Sequence, residues 1–327
     1  MILITGCSGF IGKNLLAALS KKGEDLTCYD FLRPSWFPAD IVFFKGNLLD
    51  ENSLKNALSG VDFVFHCLDI KRPGVRGRRY MRKVNVKGTA TLLEAAKKTG
   101  VKRFFFISSC SVYGKKSRLS MLLYKRPWKP LTAYGKDKLR AEAVCQKYAQ
   151  EGLEVTIFRP GAIISPGTKN PAALACLFMA FGMNERGRLH LYSLSARYQF
   201  LDIHDAVEAI LVVYASGLSA GKTYDIGSDD VPERAEEIAA LSEKAGLNCE
   251  IKKLSAAKLF FYRFLFKFLG SNLFTGEHFR YLTGGHVMDC SEIKKDFGWK
   301  PSVGNIEILI EVCHWYKKEK LKQAAFL

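Results

Sequence analysis

The chain has 327 residues, enough for one large domain or two modest ones. Hydrophobic residues make up 48% of the sequence and charged residues 25%, which is ordinary for a globular protein and excludes a disordered or fibrous chain. The 49 Lys and Arg against 32 Asp and Glu leave a net charge of +17. This excess favours an anionic partner without choosing among a nucleotide, a phosphorylated substrate, a nucleic acid and a membrane surface.

Cysteine usage and the N-terminal residues indicate the compartment. The nine cysteines are scattered, with no C-x-x-C pair, which favours reduced thiols over a disulfide framework or a zinc site. The six histidines also lack metal-ligand spacing, so we expect no metal. Met1 leads directly into the apolar run ILIT without a charged region before it, which argues against a secretory signal. We therefore expect a cytoplasmic protein.

Short apolar runs alternate with longer helical patterns from the N-terminus to Arg159. Helices are predicted near residues 10–22, 51–59, 79–99 and 133–151. The predicted strands are Ile2–Thr5, Leu26–Tyr29, Ile41–Phe44, Asp62–Cys67, Phe104–Ser108 and Val155–Arg159. Nearly continuous apolar strands separated by helices indicate a parallel sheet covered on both faces. The predicted fold class is therefore α/β, with a doubly wound parallel sheet of the Rossmann type.

The pattern loosens after Arg159. RPGAIISPGTKNP predicts a long loop, followed by a helix near 172–182. ARYQFLDIHDAVEAILVVY then predicts a short strand and a helix, and KTYDIG one more strand. Residues 233–327 are predicted to form small helices and loops without a sheet. We expect a dinucleotide-binding domain of residues 1–163 plus about 197–230, and a smaller, mainly helical substrate-binding lobe of about 164–196 plus 231–327.

The most apolar stretch of the chain is KLSAAKLFFYRFLFKFLGSNLF, residues 253–274. Lys258, Arg263 and Lys267 interrupt it too often for an unbroken membrane span. It is interpreted as an aromatic helix packed on the core of the substrate-binding lobe. A helix lying in a membrane interface is the alternative interpretation.

The stretch ILITGCSGFIGKNLL places three glycines between an apolar strand and an amphipathic helix. Gly6 would permit the tight turn, Gly9 would let backbone N–H groups approach phosphates, and Gly12 would let the helix pack on the strand. This context predicts a binding site for a dinucleotide pyrophosphate. The predicted contacts are these three glycines and the residues between them, Ser8, Phe10 and Ile11.

Asp30 ends the second predicted strand, where a carboxylate can accept hydrogen bonds from both ribose hydroxyls. Because a carboxylate there repels a 2′-phosphate, NAD is favoured over NADP. Arg33 follows three residues later and can soften that preference.

Five motifs occur in one order: TGCSGFIG (5–12), NVKGT (85–89), SSCSVYG (108–114), YGKDK (134–138) and FRPG (158–161). Together they resemble the extended short-chain dehydrogenases/reductases, the NAD-dependent epimerase/dehydratase family. DCSEIKKDFGWKPSV (289–303) resembles the C-terminal segment of that family, so the resemblance covers nearly the whole chain. It implies an enzyme with NAD as cofactor, and a homodimer paired through the helix that carries the catalytic tyrosine and its neighbouring helix.

Tyr134 and Lys138 stand four residues apart in PLTAYGKDKLRAE, so they share one face of a predicted helix with Thr132 as its N-cap. The resemblance implies that Tyr134 is the general acid/base, which takes the proton of a substrate hydroxyl as hydride leaves for the nicotinamide. The ammonium of Lys138 and the positive nicotinamide ring would together favour the phenolate, and Lys138 would also hold the nicotinamide ribose. Ser109 matches the catalytic Ser/Thr of the family and would bind the reacting oxygen.

Further matches complete the predicted site. Asn47 and Leu48 match positions that contact adenine, although the family commonly has Asp where Asn47 stands. HCLD (66–69) replaces the H-x-A-A type of segment beside the cofactor, so Leu68 and Asp69 are departures from the family. Asn85 is interpreted as a tie between adjacent elements. Cys67 and Pro160 complete the predicted cofactor contacts. The predicted substrate contacts are Ser109, Ser111 and Arg197. The family counterpart of Arg197 often binds a phosphate.

Basic residues are concentrated in two predicted loops. Seven lie in DIKRPGVRGRRYMRK after the fourth strand, and six in GKKSRLSMLLYKRPWKP after the fifth. Because ligands of doubly wound sheets bind at the carboxyl ends of the strands, these loops are predicted to rim the active site and attract an anionic substrate. Scattered surface charges are the alternative interpretation.

Sugar 4,6-dehydratases of the family carry an Asp-Glu pair where Cys110 and Ser111 stand, so dehydratase activity is not expected. The sequence leaves three other classes of function open. The leading hypothesis is an NAD-dependent oxidoreductase that acts on a secondary alcohol of a nucleotide-sugar, as an epimerase.

RPGAIISPG lacks an Asn that many sugar-nucleotide members carry, and is similar to the sterol dehydrogenase or flavonol reductase branches. The alternative is therefore a 3β-hydroxysteroid dehydrogenase-like enzyme acting on a sterol or isoprenoid alcohol, with peripheral membrane contact. The third class is a non-enzymatic dinucleotide sensor or nucleic-acid-binding module. Intact Ser109, Tyr134 and Lys138 argue against this third class, so no nucleic acid partner is expected.

Overall fold

The structure is a computed structural model. It describes residues 1–71, 75–114, 128–167, 182–183, 189–193, 197, 199–218, 220–231, 236, 239–240, 243–244, 249–253 and 287–324.

Seven parallel strands form the central sheet. In chain order they are β1 (Ile2–Thr5), β2 (Leu26–Asp30), β3 (Val42–Lys45), β4 (Phe63–His66), β5 (Arg103–Ile107), β6 (Glu154–Pro160) and β11 (Thr223–Ile226). Their spatial order is β11-β6-β5-β4-β1-β2-β3, so the direction of winding reverses between β1 and β4. In doubly wound sheets the ligand crevice lies at this reversal, beyond the carboxyl ends of the strands. The predicted fold class is confirmed, and each of the six strands predicted before Arg159 is confirmed to within one residue at either end.

Helices cover both faces of the sheet. They are α1 (Phe10–Lys21), α2 (Glu51–Ala57), α3 (Gly77–Arg82), a π-helix at Lys83–Gly88, α4 (Thr89–Thr99), α5 (Ala133–Gln150) and α6 (Ile203–Ser216). Alternate strand residues face opposite layers: Ile2 and Ile4 pack with α1 and α6, whereas Leu3 packs with α2 and α4. Two buried apolar layers therefore hold the sheet in place. The loops at its carboxyl edge are not needed for this packing and can carry functional side chains.

Two smaller sheets lie outside the central one. β7 (Ala162–Ile163) pairs in parallel with β10 (Phe200–Leu201). β9 (Leu189–Ser193) pairs with β8 (Gly182–Met183) and with β12 (Cys249–Lys253). The prediction that residues 233–327 contain no sheet was therefore wrong. The five residues of β12 include three charged side chains and pair with a distant segment, and such a strand is stabilised by its partner rather than by its own sequence.

The C-terminal segment packs back on the central sheet. In α7 (Ser291–Phe297), Asp296 accepts hydrogen bonds from Lys222 and from Tyr224 of β11. In α8 (Asn305–Ala324), Asn305 Oδ1 accepts the N–H of Phe200. Residues 254–274 of the predicted aromatic segment, and residues 172–181 of the predicted helix, lie outside the described residues. No helix in the described part of the chain has both the length and the apolar character to cross a membrane.

Candidate active site

The glycine-rich turn joins β1 to α1 at the carboxyl edge of the sheet. Gly6 has a φ of 75°, and a Cβ on it would lie 2.5 Å from the backbone nitrogen of Leu68. A Cβ on Gly12 would lie 2.2 Å from the carbonyl oxygen of Gly6. Only glycine fits these two positions, because a side chain at either would force the backbone apart. A Cβ on Gly9 would meet only the Gly6 oxygen, at 3.1 Å, so Gly9 leaves open space above the start of α1.

That open space suits a pyrophosphate. Gly9 is the N-cap of α1, no side chain caps the helix, and its first turn carries no acidic residue. The first N–H groups of a helix have no partner inside it, and the helix dipole places partial positive charge at this end. The backbone N–H groups of Phe10, Ile11 and Gly12 are therefore suited to bind an anion, as the sequence predicted.

Asp30 lies beside the glycine-rich turn and is 5% exposed. One carboxylate oxygen accepts the N–H and the hydroxyl of Ser8, at 2.9 and 2.5 Å, and the other accepts the N–H of Phe31 at 2.7 Å. A carboxylate oxygen accepts more than one hydrogen bond, so Asp30 retains capacity for ribose hydroxyls. Arg33 donates to the carbonyl of Pro38 at 3.3 Å.

Asn47 and Leu48 fix the loop after β3. The Asn47 side chain accepts the N–H of Leu49 at 3.1 Å and donates to the hydroxyl of Tyr80 at 3.3 Å. Leu48 is buried and packs on Gly88, where a Cβ would lie 2.7 Å from the Leu48 Cβ. Their contact with adenine stays a prediction.

The start of α5 brings the predicted catalytic residues together. Thr132 Oγ1 accepts the N–H of Gly135 at 2.9 Å, which confirms the predicted N-cap. Gly135 packs so tightly on the turn at 110–112 that a Cβ on it would lie 2.4 Å from the carbonyl oxygen of Ser111. Ser109 caps this turn, since its hydroxyl accepts the N–H of Ser111 at 3.2 Å. Tyr134 therefore lies against the turn that Ser109 begins.

A carboxylate joins the predicted Tyr-Lys pair. Lys138 is buried, and its Nζ donates to the carbonyl of Ile107 at 2.7 Å and pairs with Asp69 Oδ2 at 2.9 Å. The hydroxyl of Tyr134 donates to the same Asp69 oxygen at 2.6 Å. The sequence marked Asp69 only as a departure from the family segment H-x-A-A. Its contact with both predicted catalytic side chains was not foreseen, although that departure was the signal.

The charges of this cluster determine which of its groups are ionised. Burial raises the pKa of the Tyr134 phenol well above its usual value, and the charge of Asp69 raises it further. Burial also acts to raise the pKa of the Asp69 carboxyl, but Lys138, Lys71 and the hydrogen bond from Tyr134 outweigh it and hold that pKa below its usual range. Among the protein's own groups, Asp69 is therefore ionised at neutral pH and Tyr134 is protonated. Asp69 balances the Lys138 ammonium, and the expectation that Lys138 and a bound nicotinamide ring together favour the phenolate stays a prediction.

Buried hydrogen bonds hold the segment that carries Asp69, at Ile70 after it and at His66 before it. The side chain of Asn85 accepts the N–H of Ile70 at 2.7 Å and donates to its carbonyl at 2.9 Å, which confirms Asn85 as a tie between elements. His66 is buried between the hydroxyls of Thr5 and Thr89, at 2.7 and 3.0 Å. Burial and the Lys138 ammonium lower the pKa of His66 to about 3, so its ring is neutral.

The remaining predicted contacts have separate surroundings. The hydroxyl of Ser111 is buried and has no hydrogen-bond partner among the described residues. Cys67 is partly buried, and burial raises the pKa of its thiol to about 12. Pro160 is buried at the end of β6, and Arg197 is half-buried. No group of three His, Cys, Asp or Glu side chains in the described ranges could hold a metal ion.

Half of the predicted basic rim can be placed. Residues 72–74 and 115–127 lie outside the described residues. The part that follows β4 carries exposed cations on and beside α3: Arg76, Arg78, Arg79, Arg82 and Lys83. Arg82 also forms an ion pair of 3.5 Å with the buried Asp137 of α5. An exposed cationic helix therefore lies next to the helix that carries the predicted catalytic pair.

An anion-binding glycine turn and a Tyr-Lys pair on one edge of a parallel sheet define a dinucleotide-dependent oxidoreductase of the short-chain type. Residues 2–227 match the model of the NAD dependent epimerase/dehydratase family, and the chain belongs to that family. It is an enzyme, and the NAD dependence of the family agrees with the cofactor that Asp30 favours.

Two relatives and one solved structure show what the chain resembles. The uncharacterized UDP-glucose epimerase YtcB of Bacillus subtilis is 30% identical over 270 residues, which cover 74% of this chain and 80% of that protein. The sterol demethylase protein B of Methylococcus capsulatus is 28% identical over 221 residues, 66% of each chain. A short-chain dehydrogenase/reductase superfamily protein of Agrobacterium tumefaciens, crystallised with NAD, superposes with a TM-score of 0.76 at 23% identity over 99% of both chains. That structure shares the fold.

Proposed function

We propose that this protein is an NAD-dependent epimerase that acts on a secondary alcohol of a nucleotide-sugar. The observation that carries the proposal is the start of α5, at the sheet edge where the glycine-rich turn also lies. There Gly135 packs on the turn capped by Ser109, while Tyr134 and Lys138 bind one oxygen of Asp69. One site then holds an anion-binding turn for the cofactor and a proton-transferring phenol for the substrate.

The residues have the following roles. Bound NAD supplies the hydride acceptor. The N–H groups of Phe10, Ile11 and Gly12 at the start of α1 bind the pyrophosphate in the space that Gly9 leaves open, and Asp30 accepts the ribose hydroxyls. Tyr134 takes the proton of the substrate hydroxyl, and Ser109 donates a hydrogen bond to the reacting oxygen. When the ketone has turned over in the site, the same phenol returns the proton and the alcohol forms with the opposite configuration.

Three features support an anionic, polar substrate. The net charge is +17, and the exposed cations of α3 lie near the catalytic helix, where they attract a diphosphate. Ser111 offers a buried hydroxyl that has no partner in the described part of the chain. The relative YtcB is named a UDP-glucose epimerase.

A sterol or isoprenoid alcohol is the second candidate substrate. It is favoured by the similarity to the sterol demethylase protein B and by the apolar stretch of residues 253–274. Such an enzyme would release NADH after each oxidation and bind peripherally to membranes.

We also propose that the protein is a cytoplasmic homodimer paired through α5 and α4. The described cysteines, five buried and one partly buried, are free thiols, which suits a reducing compartment. Light scattering of the purified protein gives the molar mass directly, and a monomer would contradict the pairing.

The experiment begins with the nucleotide that copurifies with the protein. Denaturation followed by mass spectrometry should release NAD in a one-to-one ratio, because an epimerase reuses its cofactor within each turnover. A panel of nucleotide-sugars is then assayed for epimerisation, and a panel of hydrophobic alcohols for NADH release.

Tyr134→Phe should abolish turnover and retain NAD. Tyr148→Phe is the matched control, since it removes a phenol of the same helix that donates to Glu94 at 2.9 Å. Full activity in Tyr134→Phe would remove that residue from the mechanism. An empty cofactor site together with NADH release from an alcohol would establish the second candidate instead.

A further inference from the structure

We infer that Asp69 is the proton acceptor of Tyr134: as the phenol takes a proton from the substrate hydroxyl, it passes its own proton to Asp69 Oδ2. This inference rests on the proposed function, because it extends the role of Tyr134. Asp69 acts through Tyr134 and is a positioning and proton-holding residue rather than a catalytic one.

The geometry provides a direct path for the proton. The O···O distance between Tyr134 and Asp69 is 2.6 Å, which lies in the range of charge-assisted hydrogen bonds to a carboxylate. The same carboxylate oxygen is 2.9 Å from Lys138 Nζ, and Lys138 is anchored by its second bond, to the carbonyl of Ile107. One oxygen is thus shared by the two side chains that perform the chemistry, and the phenol hydrogen already points at it.

The carboxylate is held in this position by its surroundings. The Asp69 side chain is 12% exposed and that of Lys138 is 3% exposed. Asn85, itself 3% exposed, binds both backbone polar groups of the next residue, Ile70. Asp69 cannot swing away from Tyr134 without breaking buried hydrogen bonds, so the acceptor is present before substrate binds.

Within the described part of the chain, few other charged groups face this pair. The titratable groups around it are His66 and Cys67 at the end of β4, Lys71 in the loop after it, Cys110 in the turn and Lys138 on α5. His66 is neutral, since its pKa is lowered to about 3, and the Cys67 thiol stays protonated with its pKa raised to about 12. At neutral pH, Asp69 is therefore a carboxylate facing two ammonium groups and one protonated phenol.

The step balances within the site. Bound NAD would accept the hydrogen of the alcohol carbon with its electron pair as the carbon–oxygen double bond forms. The hydroxyl proton moves to the Tyr134 oxygen, and the Tyr134 proton moves to Asp69 Oδ2. The reverse transfers complete an epimerisation, so no external base is needed and the proton does not leave the protein.

The first test titrates Tyr134 in the full-length protein. Tyrosinate absorbance is followed against pH in the wild type, with Tyr134→Phe subtracted to isolate this phenol. Asp69→Asn, which keeps the shape of the side chain, and Asp69→Ala should both lower the pKa of Tyr134 by about one unit or more, because Lys138 then faces the phenol alone. Asp137→Asn is the matched control. It neutralises a buried carboxylate of α5 that pairs with Arg82 and Arg140, and it should leave the titration unchanged.

The second test is the pH dependence of kcat/KM. The wild type should stay active down to the low pKa of the Asp69 carboxyl. The kcat/KM of Asp69→Asn should instead fall about tenfold per pH unit below the pKa of Tyr134, because only the phenolate then accepts the proton. At alkaline pH the variant should approach the wild-type rate, and Asp69→Glu should restore part of the activity on the acidic side.

Three outcomes would overturn the inference. The first is a Tyr134 titration that Asp69→Asn leaves unmoved, and the second is an unchanged pH profile. The third is a loss of NAD affinity in Asp69→Asn with the profile unchanged, which would make Asp69 a cofactor ligand. If no nucleotide-sugar is turned over, the proposed function fails, but the titration still decides whether Asp69 controls Tyr134.

Discussion

Arg159 and Glu142 form a buried ion pair next to the active site, and breaking it should destabilise the fold. Arg159 Nε and Nη2 donate to the two carboxylate oxygens of Glu142 at 2.9 and 2.7 Å. The two side chains are only 7% and 1% exposed. Ser108 Oγ also donates to Glu142 at 2.5 Å, and Arg159 Nη1 donates to the hydroxyl of Tyr113 at 2.8 Å.

The change Glu142→Gln keeps the shape of the side chain and removes its charge. The amide NH₂ group cannot accept a hydrogen bond, so one guanidinium N–H loses its partner. Arg159 also loses its paired charge in the interior, and of the carboxylates that favour its charged form only Asp225 remains. Breaking a buried pair in this way costs about 3–5 kcal/mol. The ring of Trp128, 4.2 Å from the guanidinium carbon, offsets part of that cost, so we expect a loss of about 3 kcal/mol.

Urea unfolding at neutral pH measures this loss as a lower midpoint at an unchanged m-value. Glu151→Gln is the control, since its carboxylate pairs with Lys97 at 2.9 Å on the surface and should change the free energy of unfolding by less than about 1 kcal/mol. A loss of less than about 1 kcal/mol in Glu142→Gln would refute the reasoning, because it would mean that the Arg159 charge is compensated elsewhere.

Two further predictions concern the cofactor site and the dependence of stability on pH. Gly12→Ala should weaken NAD binding by at least about tenfold in a calorimetric titration, since the new Cβ would lie 2.2 Å from the Gly6 oxygen and push α1 off the glycine-rich turn. His66 has a pKa lowered from 6.5 to about 3, so the unfolded chain binds one proton more between these pH values. Its contribution to the free energy of unfolding should therefore fall by about 1.4 kcal/mol per pH unit as the pH drops below 6.5, and His66→Gln should lack this slope in urea unfolding.

The strands of the central sheet could be predicted because they are buried on both faces. Phe104, Phe105 and Phe106 all lie within β5 and are all buried, and such a continuous apolar run has few other structures available. Thr132 was likewise readable as an N-cap, since its hydroxyl satisfies a helix N–H only three residues away. An element could be predicted from its local sequence wherever the residues that stabilise it are close together in the chain.

The elements that the sequence did not predict depend on distant or geometric factors. β12 is stabilised by β9, with Cys249 opposite Leu189, and its alternation of Glu250, Ile251 and Lys252 is too short to stand out. The π-helix at Lys83–Gly88 lies within a stretch predicted as one helix. A π-helix differs from an α-helix only in its i→i+5 backbone hydrogen bonds, and the amino-acid composition does not show this difference.

The candidate site divides in the same way. Tyr134, Lys138 and Ser109 could be predicted as one group because they belong to motifs with fixed spacing. Asp69 lies 65 positions before Tyr134 and reaches it only because β4 and β5 are neighbours in the sheet. Sequence alone marked Asp69 as unusual, and the topology shows which groups it contacts.

The position of Asp69 also bears on the choice between the two candidate functions. A dehydrogenase that releases its ketone must deliver one proton to solvent in every turnover, and a largely buried carboxylate is a poor exit for it. An epimerase must instead return that proton to the same substrate. A carboxylate that is 12% exposed, 2.6 Å from the phenol and paired with a buried ammonium holds the proton close for the return step. The replacement of a small family residue by Asp69 therefore favours the epimerase.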